Sequence, residues 1–204
     1  MLHETNIQDW CIQQQQKNQH GGFYWPITLK DGKAARVQIG EVPLRVPFGP
    51  SSYSEGSRLN IDISIKDPDM LAWFEKLDNF VVDHVFENLQ VFFPKLQLTK
   101  VTLRDFYCPV INQKADYAHT IRTKINSSAI VFEMDDPGLR KKASVEDITA
   151  GVEVIPVVSF DRVWVMGNRF GLTCVGQALC MWRRKERSLD EIFSFSQHPI
   201  TSSA

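Results

Sequence analysis

GVEVIPVVSFDRVWVMGNRFGLTCVGQALCMW, residues 151–182, is the stretch whose reading decides the fold. Val, Ile, Phe and Trp crowd it, and strong punctuation falls only at Phe160-Asp161 and Gly167-Asn168. β-branched and aromatic side chains suit a pleated, half-buried surface, so the pattern predicts three consecutive strands over 152–160, 162–166 and 172–182. The linker Gly167-Asn168-Arg169-Phe170-Gly171 places a cation and a ring between glycines. That pairing suits stacking on a base and touching a phosphate, and it equally suits an ordinary surface hairpin.

Upstream, residues 139–150 carry Arg140-Lys141-Lys142 and then Val145-Glu146-Asp147-Ile148. This reads as a charged surface loop, either facing a polyanion or simply solvated. Residues 101–110, 117–126 and 129–134 are extended candidates. Within 117–126, strand alternation puts Tyr117, His119, Ile121, Thr123 and Ile125 on one face and Thr120, Arg122, Lys124 and Asn126 on the other. Arg122 and Lys124 therefore project together, as a phosphate-following pair or as a solvated outer face. Asp135-Asp136-Pro137-Gly138 is a turn by composition.

One helix is predicted, beginning at Asp67-Pro68, where Asp67 caps free N–H groups and proline fits the first turn. Leu71, Trp73, Phe74, Leu77, Phe80, Val81, His84, Val85 and Leu89 keep helical spacing, and the helix stops by Pro94. Before it, residues 58–65 alternate Leu59, Ile61, Ile63 and Ile65 with Asn60, Asp62 and Ser64, a half-buried strand. The Gly- and Ser-rich segment 49–57 is a loop. Residues 27–30 and 35–39 flank Asp31-Gly32, which predicts a tight hairpin. Phe23-Tyr24-Trp25 reads as a plug for the end of the core or, alternatively, as rings that stack on a ligand. Residues 1–20, with the run Gln13-Gln14-Gln15-Gln16, read as an N-terminal arm or a short helix. Residues 21–182 read as one β-rich domain, and 183–204 as a flexible tail.

The length of 204 residues supplies a core without staples, and 43% hydrophobic with 23% charged residues is ordinary for a soluble chain. No apolar run reaches the roughly 18 residues of a membrane span, and the N-terminus lacks the apolar core of a secretory signal. An intracellular protein is the expectation. The formal charge of −1 conceals an asymmetry: residues 1–94 hold 8 Lys and Arg against 12 Asp and Glu, whereas 95–187 hold 15 against 10. A modest positive field over the later half fits polyanion binding.

Cys11, Cys108, Cys174 and Cys180 lack CxxC spacing and read as reduced core residues, and the five histidines share no close spacing, so neither a metal nor another cofactor is expected. Motifs for a serine hydrolase, a zinc protease, a P-loop or a dinucleotide fold are absent from the sequence. Asp67-Pro68-Asp69 and Asp135-Asp136 are explained by a helix start and a turn. No catalytic residues are assigned.

The order of these features resembles the OB-fold single-stranded-DNA-binding proteins of tailed phages and large DNA viruses. The likeness spans about residues 58–182. It is carried by Tyr107-Cys108-Pro109, the cation-bearing strand ending at Lys124, residues 154–158, Val163-Trp164-Val165, Phe170-Gly171 and Val175-Gly176-Gln177. The resemblance implies a mainly β fold with one long amphipathic helix, its sheet closed into an OB-like barrel; the same strands also suit a jelly roll or other β-sandwich. It implies non-catalytic, largely sequence-independent binding of single-stranded DNA, or RNA, in replication or recombination. On that reading Arg104, Arg122, Lys124 and Arg169 meet phosphates, with Lys141 from the basic run beside them, and Phe106, Trp164 and Phe170 are the stacking rings. Such proteins often end in an acidic tail that recruits replication partners. Here only Asp190 and Glu191 follow the basic residues 183–185 and 187, which departs from that pattern.

Overall fold

In chain order the strands are β1 (Trp10–Ile12), β2 (Gln16–Lys17), β3 (Phe23–Leu29), β4 (Arg36–Gln38), β5 (Leu44–Arg45) and β6 (Leu59–Ile65). After the helices α1 (Pro68–Glu87), α2 (Leu89–Phe92) and α3 (Lys100–Phe106) come β7 (Tyr107–Cys108), β8 (Ile111–Asn112), β9 (His119–Asp135), β10 (Leu139–Ala143), β11 (Glu153–Met166) and β12 (Arg169–Trp182). The structure, a computed structural model, describes residues 6–19, 22–52, 59–113, 118–135 and 139–183. The tail from 184 onward, the turn at 136–138 and most of the 49–57 loop therefore lie outside the described residues.

The stretch at 151–182 forms two long strands where three are predicted. β11 runs straight through Phe160-Asp161, because Asp161 is absorbed as a bulge: Phe160 faces Cys174 and Arg162 faces Thr173. The Ser159 hydroxyl donates to the Asp161 carboxylate and accepts from Gln177 Nε2 at 2.8 Å, which satisfies the extra residue. The true turn is Gly167-Asn168, where Gly167 takes φ 59°.

The described strands join in one curled, half-barrel sheet with the spine β1-β3-β11-β12-β9-β10. β12 runs parallel to β9 and antiparallel to β11, and β6 pairs antiparallel along the first part of β9. Its inner face is closed by α1. Asp67 caps that helix by accepting from Asp69 N at 2.8 Å, and Pro68 occupies the first turn. Trp73, Phe74 and Leu77 of α1 are buried with Trp10 of β1 and Phe160 of β11 in one aromatic cluster. His84 lies edge-on to Phe92, and burial lowers its pKa.

Several local expectations change. Residues 101–106, read as part of a strand over 101–110, are helical within α3: Thr99 caps the turn by accepting from Thr102 N at 3.2 Å, and Leu103 is the one buried side chain of α3. Residues 10–12, assigned to an arm, form β1, because burying Trp10 to 3% exposure draws the segment onto β3. The segment after Asp31-Gly32 pairs with β11 through β4, and only a single bridge, Thr28 to Ala34, joins the expected hairpin. Residues 139–143, read as loop, are β10, an edge strand on the far half of β9.

Candidate nucleic-acid interface

Strand register sorts the side chains of β3, β6, β9, β11 and β12 into two faces. Trp25, Ile61, Ile121, Thr123, Ile125, Phe160, Val163, Phe170 and Cys174 turn inward and are buried. Their alternates turn outward. On β11, Arg162 and Trp164 oppose Thr173 and Gly171 of β12 and Pro26 and Tyr24 of β3. On β9, Arg122 and Lys124 oppose Asp62 and Asn60 of β6. Lys124 in turn opposes Val175 of β12, so the cations of β9 share the outer face with Trp164.

Between these two groups the sheet parts. Residues 175 and 176 of β12 pair with β9, but Phe170 and Gly171 pair with β7, whose partner segment continues into β8 at the start of β9. Where β12 and β9 diverge, Thr123 Oγ1 and Cys174 Sγ meet at 3.6 Å beneath a cavity of about 240 Å³. Arg122, Lys124, Trp164, Pro109, Asn112 and Thr173 line it, among others. The cavity is far larger than a water and slightly below the ~300 Å³ of a drug-sized site. Apolar walls with two cations at the border suit a planar apolar group joined to an anion.

Trp164 is held in place there. Its Nε1 donates to the Leu172 carbonyl at 3.2 Å, and its ring lies over Gly171, where an added Cβ would come 2.9 Å from Cζ2. Arg162 places its guanidinium 4.4 Å from the Tyr24 ring centroid, and Tyr24 donates its hydroxyl to Gln16 Oε1 at 2.8 Å. Arg122 grips Asp62 through Nε and Nη2, both at 2.9 Å. Arg169, at the hairpin end of the same face, approaches Cys108 Sγ at 3.9 Å.

Of the predicted residues, Arg122, Lys124, Trp164 and Arg169 thus share one face. The others do not join them. Phe170 is completely buried against Phe93 and Tyr107, since as the second residue of β12 it has inward parity, and it cannot stack on a ligand. Phe106 packs edge-on to Phe93 at the rim of the core. Arg104 sits on α3 and donates to Asn79 of α1. Lys141 pairs with Glu133, nine residues along β9 from Lys124 and so about 30 Å of strand away. Tyr24, weighed only as part of an aromatic triplet, and Arg162 are not among the assigned contacts. The signal for Tyr24 was strand parity within Phe23-Tyr24-Trp25, which alternates Tyr24 outward with Trp25 buried on Phe92, so the triplet is not a single plug.

A second cavity of about 570 Å³ adjoins the first across Pro109 and Asn112 and is lined by Glu75, Asp78, Arg104, Tyr107 and His119, among others. Burial raises the Asp78 carboxyl to about 6 even though Tyr107 Oη donates to it at 2.6 Å and Val110 N at 3.2 Å. These bonds fasten the β7–β8 segment to α1. Burial raises the Tyr107 hydroxyl as well and pushes the Cys174 thiol up to about 12, so neither is activated at neutral pH. Among the described residues no group of His, Cys, Asp and Glu is placed to hold a metal ion, and no helix is long and apolar enough to cross a membrane.

No family model and no curated protein matches the chain. Among solved structures it is similar to gp2.5, a single-stranded DNA binding protein encoded by bacteriophage T7, at 12% identity and TM-score 0.48, covering 84% of this chain and 99% of that one. It is also similar to the single-stranded DNA-binding protein from bacteriophage Enc34 in complex with ssDNA, at 13% identity and TM-score 0.43, covering 79% and 92%. A C-terminal truncation of the Enc34 protein gives 14% identity and TM-score 0.44, covering 88% and 96%. At TM-scores below 0.5 these likenesses assign neither fold nor function to this chain.

Proposed function

We propose that the protein binds single-stranded nucleic acid, DNA in the first instance, without catalysis, across the outer face of a sheet curled in the manner of an OB barrel. One observation carries the reading: Trp164, Lys124 and Arg122 line a cavity whose walls suit a base and whose border suits a phosphate, and register puts Tyr24 and Arg162 on the same outer face next to Trp164. Stacking is sequence-tolerant because every base has a π-face, and the cations follow a backbone common to all sequences. Trp164 supplies the stacking surface, while Arg122, Lys124, Arg162 and Arg169 neutralise phosphate. Arg104, Phe106, Phe170 and Lys141 are not part of this interface. A role in replication or recombination follows from such an activity, and the replication partners expected of the C-terminal tail belong to the same proposal.

Titration with oligo-dT at two salt concentrations tests it. Trp10, Trp25 and Trp73 are buried, so quenching on binding reports on the half-buried Trp164 and Trp182. Binding should be tight at low salt and weaken steeply as salt rises, because each neutralised phosphate releases counterions. Absence of binding at low salt would sink the proposal. Stable self-assembly without affinity for single strands would instead favour a structural, protein-interacting role.

A further inference from the structure

Asp62 is an acid on a face that otherwise gathers cations, and electrostatics alone assigns it an inhibitory effect on binding a polyanion. The geometry points to the opposite role, and we propose that Asp62 is a positioning residue that holds Arg122 ready for phosphate. The inference rests on the single-strand reading above. Asp62 and Arg122 are direct cross-strand partners in β6 and β9, and both carboxylate oxygens accept from the guanidinium at 2.9 Å. Parallel N–H···O bonds of this kind fix the plane of the guanidinium as well as its distance. The Asp62 side chain is only 18% exposed, against 42% for Arg122, so the carboxylate is sunk into the sheet while the guanidinium reaches the cavity border.

An arginine held in this way has already lost its rotamer freedom before ligand arrives. Ordering a long side chain on binding otherwise lowers affinity by an amount corresponding to about 2- to 12-fold in Kd. Lys124, next on the same face of β9, opposes Asn60 of β6 in the strand register.

The two roles of Asp62 predict opposite signs. Removing a negative charge beside a bound polyanion should tighten binding, whereas losing the brace should weaken it. Affinity for fluorescein-labelled oligo-dT is measured for the full chain, Asp62→Asn, Arg122→Ala and the double variant, with thermal unfolding of each as a check on the fold. The expectation is that Asp62→Asn weakens binding about 2- to 12-fold, while in the Arg122→Ala background the same change has no effect or tightens binding. Asp62→Glu, which retains the carboxylate, should recover part of the loss. Tighter binding by Asp62→Asn overturns the inference, as does an equal loss in both backgrounds. Failure of the unaltered protein to bind oligo-dT overturns the single-strand reading itself, an outcome distinct from both.

Discussion

Replacing Trp164 by alanine separates the stacking surface from the charges around it. The half-buried indole covers Gly171 and donates a single hydrogen bond, to the Leu172 carbonyl at 3.2 Å. Loss of a base–aromatic stack costs about 1–3 kcal/mol, so Kd for oligo-dT should rise about 5- to 150-fold. No charge is removed, and the slope of log K against log salt should stay unchanged. Loss of the Nε1–Leu172 bond affects stability by about 1 kcal/mol, which is small against the stability of a domain this size. Trp164→Phe keeps a ring without the donor and should bind within a fewfold of the unaltered protein. Fluorescence polarisation at four salt concentrations, with urea unfolding alongside, supplies both quantities. An alanine variant that folds and binds as before would refute the argument that this ring stacks, and a changed salt slope would show that the substitution moved the cations.

Four further outcomes follow from the same geometry. The change Arg122→Glu with Lys124→Glu should abolish measurable binding at moderate salt while leaving a folded protein, since both side chains point away from buried Ile121 and Ile125; unchanged affinity would place the strand elsewhere. Replacing both by glutamine should lower the salt slope by about 1.4, at about 0.7 per single-strand phosphate contact. Gly171→Ala forces a methyl to within 2.9 Å of the Trp164 ring and 3.0 Å of the Cys108 carbonyl, and should shift tryptophan emission and cost about 1–3 kcal/mol, read by fluorescence and urea unfolding. Asp78 makes stability depend on pH with an unusual sign. Its pKa is raised from 3.8 to about 6 on folding, so the folded state holds the proton more tightly; the contribution of this one group is full below pH 4 and falls by about 3 kcal/mol as pH rises through 6. Urea midpoints across that range should show the decline, and Asp78→Asn, which keeps a carbonyl for Tyr107 and Val110, should flatten it.

The elements that were legible are those where a local rule and the tertiary demand agree. Asp67-Pro68 and the spacing of Trp73, Phe74 and Leu77 announce α1, and the alternation of Ile61, Ile63 and Ile65 announces β6. Arg122 and Lys124 were placed on a common outward face because β9 is regular there. Elsewhere the local pattern admitted two answers. Val101 and Leu103 alternate as a strand would, yet Val101 is 77% exposed and only Leu103 is buried, an arrangement one helical turn satisfies. Arg169 and Phe170 look equivalent between their glycines, but the turn closes at Gly167-Asn168, so strand parity sends one outward and the other into the core. The meeting of β12 with β9 joins residues some fifty positions apart, and the cavity created by their divergence has no local signature.

The short strand β10 carries a consequence for solubility. Among the described residues it forms one border of the sheet, bonded to β9 on one side, and Arg140, Lys141 and Lys142 occupy its centre. A border strand offers unpaired N–H and C=O groups to any passing chain, and adjacent ammonium and guanidinium groups repel a second copy that would add itself there. The expected effect of this basic run, which the sequence leaves as either a polyanion contact or a solvated surface, is to disfavour edge-to-edge addition of a second copy.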